Sequence, residues 1–323
     1  MSAESQGTNM ESAASVVKKE QALKWRNPFK RMLDNPVILK ELRGRMRGKQ
    51  AFVLLTVYLG AIAVLIGVIY VFMADRSSYG GWDPSFRQSV GKSIFGAVVL
   101  LELLLVSFIG PGLTAGAITA EREHQTFDLL RTTLLSARSL VLGKLGSAFM
   151  YLFLLILTAL PIQSLAFLLG GVGLGEMVVA SLMLVVTALF YCTLGIFFSS
   201  FMKRTLNATV TSYGAIVLSF LFIVIVFFVI AYIESLPYDR GPVRDFLLNM
   251  FVWLLISTNP FLAAIMSEVI LVEEQSLFIT GNLPFGNTPS YFLSPWIVFT
   301  VIYLFLTLLM IVLSIYRVKR PDR

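Results

Sequence analysis

Charged residues are scarce in this sequence of 323 residues, at only 14% of the chain. Soluble globular proteins carry about 25% charged residues, so the composition excludes an ordinary soluble fold. Hydrophobic residues make up 57% of the chain, and the mean hydropathy is +0.80. Several continuous apolar runs exceed the ~18–20 residues that a helix needs to cross a bilayer. A β-barrel would show short alternating strands instead. We therefore predict an all-α integral membrane protein.

Cysteine and histidine occur once each. Cys192 lies inside an apolar run, so it excludes an internal disulfide and a cysteine-rich metal site, and we expect it to behave as a small buried hydrophobe. His124 has no histidine or cysteine partner at ligand spacing and is interpreted as a surface residue. The pattern predicts neither a metal site nor a catalytic site.

A nucleotide-binding motif is also missing from the sequence. Gly91-Lys92-Ser93 matches the end of a phosphate-binding loop, but Phe86 stands where that motif needs its first glycine. We therefore expect this chain to bind no cofactor. Any binding or hydrolysis of ATP would need another polypeptide.

Six apolar runs predict six transmembrane helices within a domain covering 51–316. Before it lie a polar segment, 1–30, predicted to be a disordered cytoplasmic tail, and a basic segment, 31–50. The basic segment has an apolar side and a charged side, which predicts an interfacial helix. Residues 317–323 form a second cytoplasmic tail. The predicted spans are 51–73, 93–113, 145–169, 177–201, 208–233 and 295–316.

The long region between the fifth and sixth spans contains two short apolar pieces. These are 246–256 and 261–272, of 11 and 12 residues, separated by Ser257-Thr-Asn-Pro260. Such lengths are typical of re-entrant or interfacial segments rather than spanning helices. We predict two re-entrant helices in 246–272, with two short extra spans as the alternative.

The distribution of lysine and arginine predicts the orientation. The segments on the side of the N-terminus hold 21 of these residues, and the opposite loops hold 5. Because cytoplasmic loops are basic, both termini are expected in the cytoplasm. The net charge of +7 then reflects topology and contact with anionic membrane lipids, and we expect no nucleic-acid partner.

A polar segment, Glu121–Ser136, separates the second and third spans. Phe127, Leu130 and Leu134 fall on one helical stripe. Thr126 can cap the helix, and Asp128 suits its first turn. The pattern favours a short amphipathic helix. That helix either lies on the bilayer surface or offers its apolar stripe to a soluble partner.

Glu102 is an acid well inside the second apolar run. A charge at that depth costs a few kcal/mol on insertion scales, so Glu102 should face the bundle interior or a wet cavity, or be protonated. One interpretation places Glu102 and Gln163 on a translocation path. The other is a polar contact between helices, for instance between these two residues.

These features together resemble a permease of the type-2 ABC exporter family. The specific part of the resemblance runs from Glu121 to Leu145, and 35–49 is similar to the connecting helix of such permeases. The sequence departs from the family pattern at His124-Gln125, where a basic-glycine pair is common, and at Leu134, where proline is common. The matching residues are Glu121, Glu123, Thr126, Phe127, Asp128, Leu129, Leu130, Thr132, Thr133, Leu135, Ser136 and Val141 through Leu145.

The resemblance implies a membrane-spanning, non-catalytic subunit in the inner (plasma) membrane of a prokaryote. It would pair with a second permease subunit, as a homodimer or heterodimer, and with ATP-binding subunits that carry ATP and Mg²⁺. The segment between the second and third spans would be the cytoplasmic coupling helix. Its expected anchors are Phe127, Leu130 and Leu134, with Asp128 and Arg131 as rim contacts and Thr126 at its start.

Two other functions stay open on the sequence. A membrane scaffold, in which the ATPase drives assembly or mechanical work, predicts no stimulation of ATP hydrolysis by substrate. A secondary transporter using Glu102 predicts transport driven by a proton gradient without ATP. The sequence shows no paired inverted repeat with broken helices, which are typical of that class. The apolar spans weakly favour a lipid-like or amphipathic cargo.

Overall fold

The structure, a computed structural model, describes residues 41–44, 46, 48–77, 84–125, 136–235, 242–274, 276–280 and 291–319. Residues 41–44 are helical, which places helix within the predicted interfacial segment 31–50. The predicted tail 1–30 lies outside the described residues. In chain order the further elements are α1 (Lys49–Ser77), α2 (Pro84–Thr114), α3 (Thr119–Glu123), α4 (Ala137–Leu168), α5 (Leu174–Phe201), α6 (Thr205–Ser235), α7 (Pro242–Thr258), α8 (Pro260–Glu274), β1 (Ile279–Thr280), β2 (Phe292–Leu293) and α9 (Pro295–Lys319).

Six helical runs are long and apolar enough to cross a membrane: α1, α2 continued by α3, α4, α5, α6 and α9. This confirms the prediction of an all-α integral membrane protein, with six candidate spans among the described residues. The helices extend beyond the apolar runs that identified them. For example, α4 begins at Ala137, eight residues before the predicted span, because Ser136 caps it there. The Ser136 hydroxyl accepts a hydrogen bond from the N–H of Ser139 at 3.2 Å.

The bundle is organised around α5, which packs against α2, α4, α6 and α9. About 67% of its spanning part is buried, against 11% for α1 and 17% for α6. Aromatic contacts join α5 to α9, with Phe190 and Tyr303 ring centroids 4.4 Å apart. The single cysteine, Cys192, is fully buried on α5, as expected for a small hydrophobe. The peripheral helices therefore present apolar faces to the surroundings.

Two glycines allow α2 and α5 to approach closely. A Cβ added at Gly110 of α2 would lie 3.2 Å from the Cβ of Tyr191, and one at Gly195 of α5 would lie 3.1 Å from the backbone N of Ala115. Small residues at such crossings replace side-chain volume with backbone contact, which is how helices associate within lipid. Residues larger than glycine would force these two spans apart.

The helices α7 and α8 form a bent pair, turning by 115° at Asn259. The Asn259 side-chain oxygen caps α8 by accepting from the N–H of Phe261 at 3.0 Å, and Pro260 occupies the first helical position. The Asn259 amide donates to the backbone oxygen of Ser219 at 2.8 Å. Ser219 lies near the middle of α6, about 20 Å from either end. The elbow therefore sits beside the middle of a spanning helix.

A two-stranded antiparallel sheet lies between α8 and α9, a feature that the sequence did not predict. Ile279 pairs with Leu293, and Thr280 pairs with Phe292. Trp253 of α7 donates its indole N–H to the Leu293 oxygen at 2.8 Å, and Trp296 donates to the Leu277 oxygen at 2.7 Å. The sheet thus ties the α7–α8 pair to the start of α9. Two residues per strand are too few to give a hydrophobic pattern.

Candidate functional site

The short helix α3 is fixed where it leaves α2. The backbone N–H groups of Ile118 and Thr119 donate to the hydroxyl of Ser199, near the end of α5, at 2.9 and 3.1 Å. These are N-terminal donors of a helix, which have no partner within the helix itself. Ser199 is fully buried. The central helix α5 therefore fixes the position at which the polar segment between spans two and three begins.

The other end of α3 is joined to the turn between α5 and α6. Arg122 donates from its guanidinium to the backbone oxygen of Met202 at 2.9 Å. Met202 is the C-cap residue of α5. The carboxylate of Glu123 accepts from the backbone N–H and from the hydroxyl of Thr205, each at 2.8 Å, at the start of α6. A movement of α3 would therefore be transmitted directly to α5 and α6.

Lys144 of α4 joins three parts of the chain through ion pairs. Its Nζ lies 3.1 Å from Oε1 of Glu121 on α3 and 3.3 Å from Oε1 of Glu41 in the helical stretch 41–44. The hydroxyl of Ser147 donates to Oε2 of Glu41 at 2.8 Å. The Lys144 side chain is only 8% exposed. We call Glu41, Glu121, Lys144 and Ser147 the lysine cluster, and the end of the bundle that holds it the basic end.

The residue that follows α3 has an unusual backbone conformation. Gln125 has φ of +57°, in the left-handed region that favours glycine, directly after the helix C-cap at His124. Gln125 adopts this conformation at a cost of about 1–2 kcal/mol. The His124 side chain is exposed, as the sequence suggested.

The predicted coupling residues Thr126, Phe127, Asp128, Leu130, Arg131 and Leu134 lie outside the described residues. The structure shows how the chain on either side of them is held. Gln125 precedes them and Ser136 follows them as the N-cap of α4. The lysine cluster connects α3 directly to α4. The segment 126–135 is therefore a ten-residue connection between two helices that an ion pair holds together.

Glu102 and Gln163 meet inside the bundle. The amide of Gln163 on α4 donates to Oε2 of Glu102 on α2 at 2.8 Å, and both side chains are at most 1% exposed. The contact between helices, one of the two interpretations of Glu102 from the sequence, is thus present. Tyr58 of α1 is also 1% exposed, and α1 packs against α2. We call Tyr58, Glu102 and Gln163 the carboxyl cluster.

The carboxyl cluster contains polar atoms without partners. Within the described part of the chain, Oε1 of Glu102, Oε1 of Gln163 and the hydroxyl of Tyr58 make no hydrogen bond. A buried polar atom without a partner costs about 1–3 kcal/mol, so such atoms are uncommon in purely structural positions.

Sequence reasoning missed several of these residues, although some left a signal. Lys144 is a lone cation in an apolar run, and a lysine there needs a carboxylate partner. Its two partners could not be chosen from the sequence, because Glu41 lies about a hundred residues away. Tyr58 carries a hydroxyl in the first span, which indicates only that some polar partner is needed.

Comparison with known proteins places the chain in a family. The family model described as ABC-2 family transporter protein matches residues 35–323. The match includes the stretch 41–44, both clusters and all six candidate spans. No curated protein matches the chain. The family match begins before the lysine cluster and reaches the last residue, so it covers the membrane domain as a whole. The chain belongs to the ABC-2 transporter family, as a permease-type membrane component of an ABC transporter.

Proposed function

We propose that this chain is the permease subunit of an ATP-driven exporter and that its basic end receives the motion of a separate ATP-binding subunit. The observation that carries the proposal is the lysine cluster, in which Lys144 joins 41–44, α3 and α4 through two ion pairs. Any force on the segment 126–135 acts on α3 and α4, and through Glu123 and Thr205 on α6. Such a connection suits a rigid-body change between two states.

In this proposal the coupling helix comprises Thr126–Ser136, with Ser136 shared as the cap of α4. Phe127, Leu130 and Leu134 seat in a groove of the ATP-binding subunit, and Asp128 and Arg131 lie at the rim. ATP and Mg²⁺ belong to that subunit. The basic end lies in the cytoplasm with both termini, because lysine and arginine are concentrated there, and the membrane is the inner membrane of the cell.

A second permease subunit completes the pathway, as an identical copy or a related chain. Support comes from the low burial of α1 and α6, which leaves wide apolar faces for another subunit and for lipid. Glu102 and Gln163 lie along the pathway. The bent pair α7–α8 enters from the opposite side as a re-entrant element, with its elbow beside Ser219.

The test is reconstitution of the chain in proteoliposomes with its ATP-binding subunit. We expect the pair to hydrolyse ATP faster than the ATP-binding subunit alone, and vanadate to stop this hydrolysis. Equal rates with and without the chain would contradict the proposal. Stimulation by the chain with no further response to any cargo would support a scaffold instead, and uptake driven by a proton gradient without ATP would support a secondary transporter.

A further inference from the structure

An apolar groove runs between α1 and α2 from the basic end of the bundle. It has a volume of about 540 Å³. On α1 it is lined by Lys49, Val53 and Val57, which are spaced at i, i+4 and i+8 and so lie on one face of the helix. Leu105 and Ile109, one helical turn apart on α2, form the opposite wall. The groove therefore follows the line along which these two spans meet.

The groove has about the depth of one membrane leaflet. Lys49 is the first residue of α1, two residues before the apolar span begins at Ala51, and its side chain is exposed. Tyr58, the lining residue farthest from Lys49 along α1, is buried and lies about 14 Å away. The hydrocarbon core of a bilayer is about 30 Å thick. The groove therefore reaches from the membrane surface about half-way through the core.

The outer side of the groove is open to the surroundings of the bundle. Val53 and Val57 are 57% and 64% exposed, and in a membrane their surroundings are lipid chains. A volume of about 540 Å³ over a depth of about 14 Å corresponds to a mean width of about 6 Å. A helix with its side chains is about 10–12 Å across, so it cannot enter this space as a whole. The dimensions suit a single hydrocarbon chain.

The mouth of the groove is basic. Among the described residues that line the groove, Lys49 is the only charged one. The sequence from 40 to 49 contains one acid, Glu41, which pairs with Lys144. Clusters of basic residues directly beside a spanning helix attract anionic lipid headgroups. The same ten residues contain five basic ones: Lys40, Arg43, Arg45, Arg47 and Lys49.

We propose that this groove binds one anionic phospholipid of the leaflet at the basic end. One acyl chain lies along the groove as far as Tyr58, and the headgroup phosphate contacts Lys49. The spanning part of α1 is only 11% buried, so a lipid chain that fills the space beside α2 also holds α1 against the bundle. The inference concerns a lipid bound to the permease and does not depend on the proposed transport function.

Native mass spectrometry of the full chain, released from detergent, tests the site because it counts bound lipids and subunits together. We expect saturable binding of dioleoylphosphatidylglycerol. Dioleoylphosphatidylcholine has the same acyl chains and a phosphate, but its headgroup has no net charge. It should bind on the order of tenfold more weakly, since the basic residues favour a headgroup with net negative charge.

A charge variant tests the contact with the headgroup. Lys49→Gln should weaken the binding of dioleoylphosphatidylglycerol about fivefold, the usual contribution of one basic residue at the membrane surface. The matched control is Lys203→Gln, since Lys203 is also exposed at the basic end but does not line the groove. It should bind this lipid as the wild type does.

A bulky substitution tests the position of the acyl chain. Val57→Trp fills part of the groove and should weaken binding tenfold or more, because each methylene group displaced from an apolar site lowers affinity about fourfold. The matched control is Val64→Trp, two helical turns further along the same face of α1. Val64 is 67% exposed and lies outside the groove, so this variant should bind as the wild type does.

Equal binding of the two lipids by the wild type would overturn the proposal, and so would wild-type binding by either Lys49→Gln or Val57→Trp. If Val57→Trp lowers the number of subunits in the particle and leaves the number of bound lipids unchanged, then a second copy of the chain occupies the groove and the proposal is wrong. If Val57→Trp does not fold, the comparison of Lys49→Gln with Lys203→Gln decides. The assay contains no ATP-binding subunit, so its outcome leaves the proposed function untouched.

Discussion

Phe127→Asp and Leu130→Asp are each expected to abolish co-purification of this chain with its ATP-binding subunit. The two side chains belong to the apolar stripe of the proposed coupling helix, and a docked stripe excludes water from its groove. A carboxylate in such a groove would be buried without a partner, which costs several kcal/mol. A loss of about 3 kcal/mol corresponds to an affinity more than 100-fold weaker. The measurement is affinity purification of the tagged permease after co-expression.

The matched control for this experiment is Thr132→Asp. On a helix, residue 132 lies on the face opposite to the stripe formed by 127, 130 and 134, so an added carboxylate stays in water. We expect it to leave association within about threefold of the wild type, because exposed charges contribute little. Retained association in both Phe127→Asp and Leu130→Asp would show that the docking helix is assigned wrongly.

Lys144→Met is expected to uncouple the permease from ATP hydrolysis and to lower its thermal stability. Methionine keeps the apolar stem of the side chain but removes the charge that Glu41 and Glu121 share. The two carboxylates then lose the cation that they share. Breaking a partly buried pair of this kind costs about 3 kcal/mol. The measurements are the thermal midpoint in detergent and the stimulation of ATP hydrolysis in proteoliposomes.

Lys203→Met is the matched control, because Lys203 is an exposed lysine in the turn between α5 and α6, at the same end of the bundle. It removes the same charge and should change neither quantity measurably. Lys144→Arg retains a cation and should restore part of both. If Lys144→Met behaves like Lys203→Met, then the lysine cluster does not hold 41–44, α3 and α4 together.

The spans were predictable because lipid imposes a simple requirement. A chain that crosses a bilayer must satisfy its backbone within helices, so long apolar runs identify them. The contact between Glu102 and Gln163 was predictable for a related reason, since each is a polar residue inside an apolar span and needs a partner. The family was predictable from the local pattern between Glu121 and Leu145, where residue types are specific and closely spaced.

The remaining features depend on contacts between distant parts of the chain. Lys144 contacts Glu41 and Glu121 because α4 packs beside both. Packing between such distant segments produces no periodic pattern in the sequence. The elbow at Asn259 carries a local signal, Asn-Pro, but its depth beside Ser219 depends on how α6 and α7 pack. At Gln125, the residue type does not indicate the backbone conformation. Its left-handed backbone is required by the turn, although the residue type does not favour it.

Photo-crosslinking from position 127 tests the central claim, that the segment between the second and third spans docks on an ATP-binding subunit. Benzoylphenylalanine would replace Phe127 in cells that express both chains, and Phe228 on the exposed face of α6 would be replaced as the control. The account predicts a covalent adduct between the permease and the ATP-binding subunit from position 127 and none from position 228. Co-purification of the two chains without an adduct at 127, or an equal adduct at 228, would contradict it.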